Sequence, residues 1–259
     1  MSPDTLLSVY FILSLFFLLP LKDRRSRRRG FPWVTASLVL INVVIHLIVT
    51  FFVLQPEVDP NVPNWLPLYP FMEVPALTIN HQGLGALASL SSTYLHAGWS
   101  HLLGNMFILW FFGRKVEDST GPAGFALLYT LCGFTASLMN VIANTLMASG
   151  DVPGLGASGA ISGIMGAYLF LYSHEKILTL VTPVICVIPI PIPLWLPAWV
   201  FIVTQVLKDG LLGQLVLEVY KMGDYIPLGI GVFAHMGGFI GGMLFIYLFV
   251  SPYILSGHR

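Results

Sequence analysis

Charge is scarce in this sequence. Of its 259 residues only 9% are Asp, Glu, Lys or Arg, against about 25% in an ordinary soluble domain. The 12 basic and 12 acidic residues cancel to a formal net charge of zero, which leaves no electrostatic footprint for nucleic acid. Scarce charge beside 56% hydrophobic residues also excludes a disordered, self-repelling tail. Two cysteines, Cys132 and Cys186, allow at most one disulfide and lack the spacing of a metal cluster. No nucleotide, phosphate or metal motif occurs, so no cofactor is expected. What is present is apolar: a mean hydropathy of +0.82 points to a polytopic membrane protein.

The charge-free intervals set the topology. None of the four charged residue types occurs in Gly30–Pro56, Val74–Gly113, Ser119–Gly150, Val152–His174, Ile177–Leu207 or Tyr225–His258. A spanning helix needs about 20 apolar residues, so each interval holds one helix and none holds two with a turn. The expected spans are Trp33–Leu54, Trp99–Phe112, Ala123–Ala143, Ser158–Leu171, Pro197–Leu217 and Leu228–Ser251. The fold class is therefore all-α, a six-helix membrane core over residues 33–251. Pro183, Pro189, Pro191, Pro193 and Pro197 forbid a continuous helix ahead of the fifth span, so Thr182–Pro197 reads as an extended apolar loop or re-entrant edge.

Residues 1–21 form an apolar leader, residues 22–32 a basic cytoplasmic linker and residues 252–259 a cytoplasmic tail. A cleaved signal peptide carries its basic residues ahead of the apolar stretch, and here the order is reversed. The leader, apolar from Leu6 to Leu21, is read as an added anchor, either spanning or lying in the interface. With the linker in the cytoplasm and six alternating spans, ten Lys and Arg fall inside, and only Lys208 and Lys221 fall outside. That is a strong positive-inside bias. The loop from Gln55 to Asn80 is then external and carries Glu57, Asp59 and Glu73 without a basic residue.

Three groups of polar residues sit where lipid disfavours them, and such residues are functional candidates by default. His96-Ala-Gly-Trp-Ser-His101-Leu-Leu-Gly-Asn105 enters the second span, with His101 and Asn105 on one helical face. The plainer role for such a pair is interhelical packing. Gly156-Ala157-Ser158-Gly159 opens the fourth span, where a Ser is ordinarily an N-cap. Free N–H groups at the same helix start would also suit a developing oxyanion. In the last span Gly231, His235, Gly238 and Gly242 make one stripe, and the fourth span offers a small surface of its own, Gly159, Gly163 and Ala167. If the two surfaces meet, Ser158 and His235 become neighbours near the outer ends of their helices, and helix packing orients the imidazole. His46 and Cys132 stand singly in apolar spans and are assigned to structure.

Other intramembrane chemistries fit less well. His174-Glu175-Lys176-Ile177-Leu178 lacks the second His of a zinc protease, and every Asp lies in or beside an expected loop. Taken in order, HAGWSHLLGN, GRKVED, GASG and AHMGGFIGG resemble the rhomboid family of intramembrane serine proteases, over about Pro20 to Val250. The resemblance implies a Ser158 nucleophile, a His235 general base, and an oxyanion site of His101, Asn105 and the Ser158 N–H. His96, Gly156, Gly159, Gly238 and Gly242 match supporting motif positions, and Glu117 matches a structural acid at the cytoplasmic end of the second span. Ser162 stands where many members carry a Tyr, and the Trp-Arg pair of the first external loop is absent. The expected partners are the lipid bilayer and transmembrane protein substrates, cut near the external face of the cell membrane. The competing readings are a non-enzymatic escort, which would ordinarily lose Ser158 or His235, and a transporter, which would ordinarily show inverted repeats.

Overall fold

The computed structural model describes residues 18–23, 30–54, 66–146, 153–181, 192–208 and 231–250. Helix α1, Trp33–Ile48, follows Pro32 and winds on through a wider turn, Val49–Val53. Its inward face is Thr35, Leu38, Asn42 and His46, at helical spacing, while Leu40, Val44, Leu47 and Phe51 point outward. The approach to the second span carries two short helices, α2 (Pro75–Ile79) and α3 (Ala88–Ser92).

Helix α4, Trp99–Ile108, passes through a π-type turn at Leu109–Gly113 into α5, Arg114–Leu146. The sequence reading ended the second span at Phe112, but the helix continues through Arg114–Thr120. No breaker intervenes until Gly121, whose φ of 72° and ψ of 164° interrupt the helix ahead of Pro122. The 48-residue apolar stretch Trp99–Leu146 is therefore two spans. Helices α6 (Ser158–Tyr172), α7 (Ala198–Lys208) and α8 (Val232–Phe245) complete the core, α8 winding on as far as Val250. Among the described residues the chain is a polytopic helical membrane protein. The parts of the expected fifth and sixth spans at 209–217, 228–230 and 251 lie outside those residues, as do the tail at 252–259 and Cys186.

One element was not anticipated. Three strands, β1 (Leu18–Asp23), β2 (Lys176–Val181) and β3 (Ile192–Pro197), form an antiparallel sheet in the order β1-β2-β3. Of the stretch expected as an extended loop, Ile192–Pro197 pairs with β2, while residues 182–191 lie outside the described part. The prolines that argue against helix are compatible with edge strands, and β3 and β1 are both edges. Pro20 sits beside an irregularity in register between Pro20 and Lys22. Residues 1–17, most of the apolar leader, also lie outside the described part.

The sheet is anchored at the end of the bundle that bears the basic residues. Lys115 at the start of α5 pairs with Asp23 at 3.4 Å, and Gln205 of α7 donates to the Leu18 carbonyl at 3.0 Å. At the same end the buried Glu117 accepts from the Val34 N–H (2.9 Å), the Thr35 N–H (2.8 Å) and the Thr35 hydroxyl (2.7 Å). A carboxylate thus satisfies free amides at the start of α1 and meets the favourable end of its dipole. Phe112, Phe125, Tyr168 and Phe201 fill the core between α4, α5, α6 and α7, all fully buried.

Candidate active site

Glycine sets the distance between α6 and α8. A Cβ on Gly238 would collide with the Gly159 carbonyl, and one on Gly242 with the Gly163 carbonyl. The helices touch backbone to backbone along the expected stripe. Gly237 and Gly241, the other two glycines of this segment, face α5 at Met139 and Thr135. Helix α8 is thus wedged between two partners, a second contact that the two glycine pairs Gly237-Gly238 and Gly241-Gly242, read as two stripes, could have indicated.

This packing brings His235 Nε2 to 2.7 Å from Ser158 Oγ. The N-cap position of α6 is Ala157, with no side-chain cap, so Ser158 is the first helical residue and its hydroxyl bonds across to α8. That is not the geometry of an N-capping Ser. Both residues are half-buried.

The residues before Ser158 place α4 alongside. Gly156 has φ of +125°, a conformation that glycine tolerates and that strains other residues. A Cβ there would lie 2.8 Å from His101 Cε1, 2.9 Å from His101 Nε2 and 3.7 Å from Ser158 Oγ. The His101 ring therefore lies over bare backbone beside the Ser158 hydroxyl. One turn further along α4, Asn105 is buried, and among the described residues its Nδ2 has no hydrogen-bond partner. A buried amide donor without an acceptor costs about 1–3 kcal/mol.

His96 is set back from this group. Its ring centroid is 5.1 Å from that of His101 and 6.4 Å from that of His46, which in turn packs 4.7 Å from Trp99. Burial lowers the His96 pKa to about 3, with His46 adding a smaller effect, so the ring is neutral. His46, read singly from the sequence, belongs to this row of imidazoles. Its place on the Thr35–Asn42–His46 face was the available signal. Among the described residues no set of three or more His, Cys, Asp or Glu side chains is arranged to hold a metal ion. Cys132 is buried against the position where Gly163 lacks a Cβ.

Residues 85–252, well over half of the chain, match a protein-family model described as the Rhomboid domain. The chain belongs to the rhomboid family. Among similar proteins, RHOMBOID-like protein 1 of Arabidopsis thaliana is 27% identical over 245 residues, covering 87% of this chain and 55% of that one. Rhomboid protein 1, mitochondrial, of Saccharomyces cerevisiae is 35% identical over 99 residues, or 38% and 29% of the two chains. Rhomboid protease GluP of Bacillus subtilis is 32% identical over 130 residues, or 49% and 24%. This rhomboid chain thus spans about half the length, or less, of these relatives.

Proposed function

We propose that this rhomboid protein is an intramembrane serine endopeptidase that cleaves transmembrane proteins near the outer face of the membrane through a Ser158–His235 dyad. The observation that carries the reading is the 2.7 Å contact between His235 Nε2 and Ser158 Oγ at a half-buried helix start. Its membership of a family with a relative named as a protease supports it.

The chemistry follows from the geometry. With the proton of neutral His235 on Nδ1, Nε2 accepts the Ser158 proton as Oγ attacks the scissile carbonyl carbon. The carbonyl π pair moves to oxygen, and the negative charge would be met by the N–H of Ser158, which as a first-turn amide has no intrahelical acceptor, and by Asn105 Nδ2. His101, lying over Gly156, can add a ring N–H. Collapse breaks the C–N bond, and His235 returns its proton to the leaving amine. Water then attacks the acyl ester, gives its proton to His235, and Ser158 is regenerated on release of the acid.

The Lys and Arg count assigns the sheet end of the bundle, with Arg114 and Lys115, to the cytoplasm, and the start of α6 to the outside. Segments that unwind readily at their outer boundary would be the preferred substrates, because attack needs an exposed carbonyl. The test is labelling of purified protein by a fluorophosphonate, together with cleavage of a reconstituted transmembrane substrate. Both activities are expected to vanish in Ser158→Ala and His235→Ala proteins that retain the wild-type melting temperature. Sustained cleavage by Ser158→Ala would overturn the assignment.

A further inference from the structure

A second polar cluster lies outside the bundle of reacting groups. Glu73, just before α2, is only 5% exposed and carries a carboxyl group among α2, α3 and the outer part of α5. One carboxyl oxygen accepts from the Ser137 hydroxyl and, at 3.4 Å, from that of Ser89, and these two hydroxyls are 2.5 Å apart. The other oxygen accepts from Asn140 Nδ2 at 3.0 Å. The Asn140 amide is itself oriented, because its Oδ1 accepts from Asn144 Nδ2 at 2.9 Å. Burial raises the Glu73 pKa, and the donated bonds from Ser137, Asn140 and Ser89 oppose that rise.

The main chain of the same residue reaches the active-site segment. Glu73 N–H donates to the Gly154 carbonyl at 3.0 Å, and Gly154 N–H donates to the Glu73 carbonyl at 2.7 Å, a single antiparallel bridge. Gly154 also lies over the cluster: a Cβ there would be 3.5 Å from Asn140 Nδ2 and 3.9 Å from Glu73 Oε2. Two residues on, Gly156 N–H donates to the Ser92 carbonyl at the end of α3 (2.9 Å) and faces His101. Ser158 follows after one more residue. The approach to Ser158 is therefore held from behind by the segment that carries α2 and α3, and Glu73 joins that segment to α5.

We propose that Glu73 is a positioning residue for Ser158: by fixing the Gly154 bridge on α5, its carboxyl group holds the 153–157 segment in the conformation that aims Ser158 and its N–H at the substrate carbonyl. The functional part rests on the protease reading above. The bond count gives the carboxyl its role through shape and acceptors, not through charge. A Gln at this position can accept from Asn140 and donate to Ser137, whose hydroxyl turns to Ser89.

The experiment has two readouts on the full-length protein in detergent: the fluorophosphonate labelling rate of Ser158, and hydrogen exchange of the peptide covering 153–160. Glu73→Ala is expected to slow labelling about tenfold or more, since displacement by about 1 Å can cost 100-fold. It should speed exchange at 154–157 by about tenfold, leaving α1 and α7 peptides unchanged. Glu73→Gln should return labelling to within about threefold of wild type. If Glu73→Ala does not fold, Asn140→Ala, which removes one of the bonds, should show a smaller change of the same sign in both readouts. A lower melting temperature with unaltered labelling and exchange at 154–157 would overturn the proposal and leave Glu73 as a stability residue. A wild-type protein that does not label would defeat the protease reading, while the exchange comparison would still decide this one.

Discussion

Asn105 separates a packing role from a chemical one by magnitude. The residue is 8% exposed, and among the described residues Nδ2 is buried without a partner. Interhelical polar contacts in membranes are worth about 0.6–2 kcal/mol, and a residue used in that way would lose stability on truncation. Among the described residues no bond from Nδ2 exists to be lost. Asn105→Ala instead removes an unsatisfied donor, a relief of about 1–3 kcal/mol that offsets the small cavity left behind. The melting temperature should therefore stay within about 2 °C of wild type. The rate should not. One oxyanion donor is worth about 2.7–4 kcal/mol, or roughly 100- to 1,000-fold in turnover. His101, one turn away and beside Ser158, can cover part of the loss, so a fall of at least about tenfold in kcat is expected with KM little changed. Steady-state cleavage of a reconstituted transmembrane substrate, paired with scanning calorimetry, measures both. Near-normal kcat with a clearly lower melting temperature would refute the oxyanion role.

Four further outcomes are expected. Gly156→Ala meets both a φ of +125° and the His101 ring, and should lower labelling of Ser158 by about tenfold or more at a stability cost of about 1–3 kcal/mol. Gly242→Val drives a branched side chain into the Gly163 carbonyl; separation of α6 from α8 should destabilise the protein by at least about 2 kcal/mol, read from its denaturation midpoint, and weaken substrate cleavage. Glu117→Ala strips the bonds to Val34 and Thr35 at the far end of the bundle, so the melting temperature should fall by several degrees, with kcat per folded molecule held within about twofold. His96 has its pKa lowered to about 3 from 6.5 by burial, so protonation favours the unfolded chain. Its contribution is complete above pH 6.5 and is lost as pH falls from there toward 3, at up to about 1.4 kcal/mol per pH unit. His96→Gln should flatten that part of the stability profile, and an unchanged slope would show that His96 titrates normally.

Much of this protein was legible in one dimension because lipid imposes one-dimensional rules. A helix must be apolar for its whole span, so the charge-free intervals marked the spans of α1 and α8 to within a few residues. Polar and glycine residues are costly or weakening there, so His101, Asn105, Ser158 and the α8 stripe stood out against a uniform background. Helical periodicity marked that stripe and the small face of Gly159 and Gly163 as surfaces able to meet, and the structure packs them together.

Tertiary structure decided what depends on partners distant in sequence. The hairpin of β2 and β3 recruits Leu18–Asp23 from the other end of the chain, and no local pattern encodes that choice of partner. Glu73 carries no motif; it reads as one acid in an external loop until the fold sets it against Ser137 and Asn140, more than 60 residues away. Whether Ser158 caps its own helix or reaches His235 also turned on α8, because both roles satisfy the same local sequence and only the 2.7 Å contact distinguishes them. The sequence by itself determined which residues could not rest in lipid unemployed. Only the packed structure determined which of them met.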